Sequence, residues 1–219
     1  MTTIKILIIT LTAALLNLAI PAYATQITQN KSPITIFAIF HDEVPQNIRD
    51  TAYAENFLPF IKDFEGFTGR QVNIVFDRNS PPYSNFNYKS EDLQKLMHRW
   101  NDLSTDYLAK RRAEGFLIAP LDRVLLITNG VINGSPLITD TAGVALQPGK
   151  AAIASLIQVQ NIAHELGHTF NASHEAGEVL YNGWWCETFM FPPLPFRYSC
   201  FRFSGENKTR INDYLKAYN

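Results

Sequence analysis

Residues 164–174 read His-Glu-Leu-Gly-His-Thr-Phe-Asn-Ala-Ser-His, and this stretch constrains the fold of the chain more than any other part of it. His164 and His168 are four residues apart, so on a helix they lie one turn apart on the same face. That spacing allows two imidazoles to bind one zinc ion, and a third histidine, His174, follows six residues later. Three nitrogen ligands leave one position for water, which is the arrangement of a catalytic zinc site. The stretch therefore predicts one catalytic Zn²⁺ ion.

Two further residues of this stretch, Glu165 and Asn171, have predicted roles at the zinc site. Glu165 lies one step around the helix from His164, so we expect it to act as the general base toward the zinc-activated water and not to bind the metal. His174 can meet the other two ligands only if the helix ends abruptly after His168. Such an ending needs a left-handed residue, and asparagine is second only to glycine there, so Asn171 is the predicted helix-ending turn.

The first 24 residues have the features of an export signal. Lys5 is followed by the mostly apolar run 6–20 and by Ala22-Tyr23-Ala24, a typical cleavage site. The run is shorter than the roughly 20 apolar residues that a membrane span needs, although an uncleaved anchor is the alternative. We predict a signal peptide at 1–24, a mature domain at 25–219, a secreted or periplasmic location, and no membrane association after cleavage.

The cysteines and the net charge of the chain bear on its redox compartment and on its possible partners. Cys186 and Cys200 are the two cysteines of the chain, and in an oxidising compartment we expect them to form a disulfide. The alternative is two free thiols in a reducing compartment. A formal net charge of −1 offers no general attraction to nucleic acid, so no nucleic-acid partner is predicted. His41 and His98 have no ligand partner nearby in sequence and are predicted to be ordinary polar residues.

The hydrophobic pattern predicts strands and helices in alternation. The predicted strands are 34–40, 71–76, 123–128 and a short one at 143–146. The predicted helices are 50–67, a helix that starts at the N-cap Ser90, one long helix from 151 to about 170, and a final helix near 208–218. This order indicates an α+β domain, a mixed-sheet α/β sandwich. Its upper lobe would span about 34–172, and a small irregular lower lobe about 173–219.

The same residues resemble the metzincin clan of zinc endopeptidases, whose pattern is His-Glu-x-x-His-x-x-Gly-x-x-His followed by a methionine-containing turn. The pattern is matched by His164, Glu165, His168 and His174, with Asn171 in place of the glycine. Met190 stands where the clan has its Met-turn, and the resemblance implies that it forms an apolar floor under the three imidazoles. The resemblance covers about residues 151–219 and implies a two-lobed zincin domain.

Features of several metzincin groups are mixed in this chain. Cys186 shortly before Met190, and the tail from Phe203, are similar to the reprolysin (adamalysin) group, which we take as the nearest. Pro192 is typical of reprolysins and matrixins, whereas Glu175 directly after the third histidine is typical of astacins. The subfamily therefore stays open.

The resemblance also implies how a substrate binds. An extended protein or peptide would pair with the strand before the active-site helix, here around 137–146, and segment 191–198 would wall an apolar pocket beyond the scissile bond. These features predict a secreted zinc metalloendopeptidase. One alternative is an exported toxin or binding component of the same fold with a single host-protein target. Another is a structural zinc protein, which would leave Glu165 unexplained.

Overall fold

The computed structural model describes residues 31–134, 141–181, 183–191 and 198–218. The predicted signal peptide at 1–24 lies outside the described residues, as do residues 137–140 of the predicted substrate strand and residues 192–197 of the predicted pocket wall. Within the described ranges, no helix is both long and apolar enough to cross a membrane.

A five-stranded mixed sheet forms the centre of the fold, with the strand order β2-β1-β3-β5-β4. The strands are β1 Ile34–Phe40, β2 Val72–Asp77, β3 Arg123–Thr128, β4 Gly143–Ala145 and β5 Ala151–Ser155. Strands β2, β1, β3 and β5 are parallel, and β4 runs antiparallel to β5 at one edge. The predictions for β1 and β3 are confirmed residue for residue, and the mixed sheet confirms the predicted fold class.

Helices cover both faces of the sheet, which explains why β1 and β3 are nearly continuous apolar runs. One face packs against α2 Leu58–Thr68, α4 Asn161–Thr169 and the last α-helix, α5 Gly205–Leu215. The other face packs against α3 Leu93–Ala113, whose Trp100 is fully buried. The indole N–H of Trp100 also donates to the carbonyl of Ala152 on β5 at 2.9 Å.

The predicted helix at 50–67 is part of a longer helical segment. It begins with α1 Gln46–Ala52, continues through a π-helical turn at Tyr53–Phe57 and ends with α2. The widened turn ends two residues before Pro59, whose ring nitrogen cannot donate the regular helical hydrogen bond. Gly69 ends the segment in the left-handed conformation, with φ 66°.

The predicted start of α3 was wrong by two residues. Asp92 is the N-cap, and its carboxylate accepts from the N–H of Lys95 at 2.9 Å. Ser90 uses its hydroxyl instead to accept from the N–H of Asp92 at 3.1 Å. Two capping residues close together in sequence compete for this role, and the sequence does not rank Ser against Asp.

The prediction of one long helix from 151 to about 170 was wrong. Residues 151–155 form β5, all five are buried, and α4 begins only at Asn161. A short alanine-rich run fits a helix or a buried strand equally well by pattern alone. Pairing with β3 on one side and β4 on the other decides in favour of the strand.

The C-terminal part has more regular structure than the sequence predicts. A three-stranded sheet consists of β6 Val179–Tyr181, β7 Trp185–Glu187 and β8 Tyr198–Ser199. A disulfide joins Cys186 on β7 to Cys200 just after β8. The last α-helix begins at Gly205, earlier than the predicted 208, because Ser204 caps it, and 216–218 form a 3-10 turn. Helix α5 packs into the same core as α4.

Candidate metal centre

Three imidazoles converge at the C-terminal end of α4. The Nε2 atoms are 2.8 Å apart between His164 and His174, 3.0 Å between His168 and His174, and 3.2 Å between His164 and His168. Two nitrogens that each lie about 2.0 Å from one tetrahedral zinc are about 3.3 Å apart. The three atoms therefore surround a point that suits a single ion. No other such group of histidine, cysteine or acidic residues is found in the described part of the chain.

Backbone carbonyls set the tautomers of two of these histidines. Nδ1 of His164 lies 2.7 Å from the carbonyl oxygen of Phe189, and Nδ1 of His168 lies 3.1 Å from that of Ala172. A carbonyl can only accept, so in both contacts Nδ1 carries the proton and Nε2 keeps its lone pair toward the shared point. Carbonyl-anchored histidines of this kind are typical zinc ligands.

Electrostatics keep the same two imidazoles neutral. Burial, together with the neighbouring histidines, lowers the pKa of His164 to about 3. Burial and the neighbouring His174 lower the pKa of His168 to about 4. Near pH 7 both rings are therefore uncharged, which is the form that binds metal. Neutral nitrogen donors in a compact triangle fit Zn²⁺.

A Schellman turn ends α4 and brings His174 back to the other ligands. Asn171 has φ 75°, which is the left-handed conformation. The N–H of Ala172 donates to the carbonyl of Gly167, and the N–H of Asn171 donates to that of His168, each at 2.9 Å. These are the two hydrogen bonds that define the motif. Asn171 thus occupies the one position of this motif that requires a positive φ.

Two side chains that the sequence analysis did not identify hold the chain after this turn. Gln147 donates to the carbonyl of Ala172 at 2.7 Å, the same carbonyl that lies beside Nδ1 of His168. The buried amide of Asn207 makes two hydrogen bonds with the backbone of Ser173, at 2.8 and 3.1 Å. Both residues are distant in sequence from the histidines, and no spacing pattern marks either of them.

The turn containing Met190 packs against helix α4. The N–H of Phe191 donates to the carbonyl of Thr188 at 2.9 Å, which closes the turn around a fully buried Met190. A Cβ atom at Gly167 would lie only 2.6 Å from the sulfur of Met190, so the methionine packs directly against the helix backbone. Phe189, whose carbonyl anchors His164, belongs to the same turn.

Glu165 is buried at the floor of a cleft beside the histidines. Only 6% of the residue is exposed, and burial raises the pKa of its carboxyl to about 8. Among the described residues, none donates a hydrogen bond to this carboxylate. The carboxylate lines the same cleft as the imidazoles and is not part of the metal-binding triangle.

The cleft lies between the edge strand β4 and helix α4 and has a volume of about 480 Å³. Gly143 and Ala145 of β4 line one side, the three histidines and Glu165 line the other, and the exposed Ile157 also contributes. Strand β4 pairs with β5 on its inner side only, within the ranges that the structure describes. Within those ranges its outer edge has no strand partner, and residues of β4 line the cleft.

The remaining histidines lie away from this centre. Nδ1 of His41 accepts from the N–H of Glu43 at 3.3 Å, and its ring packs edge-on against Tyr88. His98 is exposed on α3. Neither belongs to the metal-binding group.

Comparison with known families and with curated proteins gave no match. Among solved structures, archaemetzincin from Methanopyrus kandleri is similar at 19% identity, covering 87% of this chain and 99% of that one, with a TM-score of 0.52. A chaperone–substrate complex has 15% identity over 87% of this chain and 36% of its own, with a TM-score of 0.52. A zinc-dependent peptidase from Methanocorpusculum labreanum has 18% identity over 81% of this chain and 100% of its own, with a TM-score of 0.47. The chain therefore has the mixed α/β fold of archaemetzincin.

Proposed function

We propose that this protein is a zinc-dependent endopeptidase. The observation that carries the proposal is the convergence of three imidazoles, with Glu165 beside them, on one open cleft. A zinc ion, when bound by His164, His168 and His174, supplies a Lewis acid for the scissile carbonyl and for water. The likeness in fold to archaemetzincin supports the same reaction class.

Glu165 is the proposed general base. It would accept a proton from the attacking water and return it to the leaving amine, so that the proton balance closes within one turnover. Burial raises the pKa of this carboxyl to about 8 without metal, and the positive charge of a bound zinc ion would lower it toward the pH at which a group both accepts and releases a proton.

The proposed substrate is a polypeptide in extended form. Strand β4 presents a free edge along the cleft, and an extended peptide can pair with such an edge as an added strand. The backbone of Gly143 and Ala145 would then align the scissile bond beside Glu165. Pairing through the backbone requires no particular sequence in the substrate.

The proposed location is outside the cytoplasm. The signal-like residues 1–24 support this, and so does the disulfide between Cys186 and Cys200, because such bonds persist in oxidising compartments. Met190 is proposed as the apolar floor of the metal centre and not as a ligand.

Activity assays on purified residues 25–219 test the proposal. Cleavage of casein or a peptide library should disappear with a chelator and return with zinc. Glu165→Gln should keep one zinc per chain and lower kcat by about 10²- to 10⁴-fold, the usual contribution of a general base. The matched control is Glu91→Gln at an exposed position before α3. Full activity of Glu165→Gln would refute the role of Glu165, and cleavage of one protein only would favour the narrow-target toxin.

A further inference from the structure

The side chain of Glu165 occupies space that exists because residue 143 is glycine. A Cβ atom built on Gly143 would lie 2.4 Å from Oε1 of Glu165 and 2.6 Å from both its Cδ and its Cγ. Optimal contacts between such atoms are about 3.5–4.0 Å. A side chain at position 143 and the observed position of Glu165 therefore exclude each other.

Neither backbone is free to move apart and relieve such an overlap. The carbonyl of Ala142 accepts from the N–H of Ser155 at 2.8 Å, and Gly143 pairs with Ala154, so β4 is fixed to the sheet. Helix α4 is fixed from the other side by the contact of His164 with the Met190 turn. The part that can yield is the side chain of Glu165.

Packing alone sets the direction of this carboxylate, since no described residue donates a hydrogen bond to it. We propose that Gly143 is a positioning residue, whose missing side chain provides the slot that holds Glu165 toward the cleft. This proposal rests on the proposed function, in which Glu165 is the general base. Gly143 acts through Glu165 and also lies on the strand that we propose pairs with substrate.

Gly143→Ala should therefore impair the chemical step more than substrate binding. The added methyl group turns the carboxylate away from its position, whereas the backbone of β4 keeps its free hydrogen-bonding edge. We expect kcat to fall at least about ten-fold, up to the 10²- to 10⁴-fold that a general base contributes. KM should change less than about three-fold, because the uniform binding of substrate is retained.

A double-mutant cycle on unfolding tests the packing without reference to activity. Gly143→Ala should lower the unfolding midpoint of the wild-type protein. In a Glu165→Ala background the space beyond Cβ of residue 165 is empty, so Gly143→Ala should lower the unfolding midpoint little or not at all. The control is Gly66→Ala in α2, where an added Cβ meets nothing within 4 Å. An equal effect of Gly143→Ala in both backgrounds would overturn the proposal.

Kinetics and a crystal structure of the zinc-loaded Gly143→Ala variant complete the test. Zinc content equal to wild type, a reduced kcat with a nearly unchanged KM, and a rotated Glu165 side chain would support the positioning role. An unchanged kcat, or a Glu165 side chain in its original place, would overturn it. Inactivity of the wild-type enzyme would contradict the proposed function instead, so the two failures are distinguishable.

Discussion

Replacement of Asn171 tests whether the left-handed turn determines the geometry of the third ligand. The backbone at position 171 has φ 75°, so the free-energy cost of this conformation depends on which side chain the residue carries. The left-handed region costs an ordinary L-residue about 1–2 kcal/mol, costs glycine nothing, and is least favourable for a β-branched residue. We therefore expect Asn171→Gly to be neutral or slightly stabilising, Asn171→Ala to cost about 1 kcal/mol and Asn171→Val about 2 kcal/mol or more.

The position suits this test because its contacts involve the backbone. The carbonyl of Asn171 accepts from Nε of Arg210 at 3.1 Å, and its N–H donates to the carbonyl of His168. Both hydrogen bonds are available to every variant. Differences among the glycine, alanine and valine variants therefore report the cost of the positive φ.

The same series predicts an effect on zinc affinity. A strained residue at position 171 favours an open turn in the metal-free protein. Zinc binding requires the closed turn, which brings His174 into place, so part of the zinc-binding free energy is used to close it. The valine and glycine variants should differ by about 2 kcal/mol, and about 1.4 kcal/mol corresponds to ten-fold weaker binding, so the valine variant should bind zinc roughly thirty-fold more weakly than the glycine variant. Competition with a chromogenic chelator measures this difference, and urea unfolding of the metal-free protein measures stability.

Asn47 on the exposed side of α1 is the matched control. In a helix, alanine is the most favourable of these residues and glycine is worse by about 1 kcal/mol, so the order should reverse at that position. An Asn171→Ala variant that is as stable as Asn171→Gly would refute the reasoning. The reasoning would also fail if the two positions gave the same order.

Three further predictions concern the support of α4 and of the C-terminal sheet. Gly167→Ala would force its Cβ to within 2.6 Å of the sulfur of Met190, and we expect a loss of about 1–3 kcal/mol in urea unfolding, unlike Gly66→Ala. Replacing both Cys186 and Cys200 by serine should cost about 3 kcal/mol under oxidising conditions, and a similar loss should follow from reduction of the wild type. Arg123→Met should destabilise the protein by several kcal/mol, because the buried guanidinium donates to the last turn of α4, and a change below about 0.5 kcal/mol would contradict this.

The metal-binding residues could be recognised from the sequence because their chemistry is local. Helical spacing aligns His164 with His168, and a single left-handed residue accounts for the return to His174. Such features depend on a few consecutive residues and on backbone geometry. The strands β1 and β3 were equally predictable, since their short apolar runs contain β-branched and aromatic residues, which favour a strand over a buried helix.

The features that the sequence did not reveal depend on contacts between distant segments. β5 is a strand because it pairs with β3 and β4, and nothing in its five residues records that pairing. Gln147 and Asn207 bind backbone groups 25 and 34 residues away in the chain, and Gly143 makes room for Glu165 on another element. Each is an ordinary residue type in its local context, so only the folded chain shows what it contacts.

One residue, Ala172, supports two ligands that look independent in the sequence. The N–H of Ala172 closes the turn that directs the chain toward His174, while the carbonyl of the same residue lies beside Nδ1 of His168. Gln147 donates to that carbonyl as well and so links it to the segment after β4. A rotation of this part of the backbone would alter the orientation of the His168 ring and the position of His174 together. Substitutions that disturb the turn should therefore act on zinc binding through both ligands.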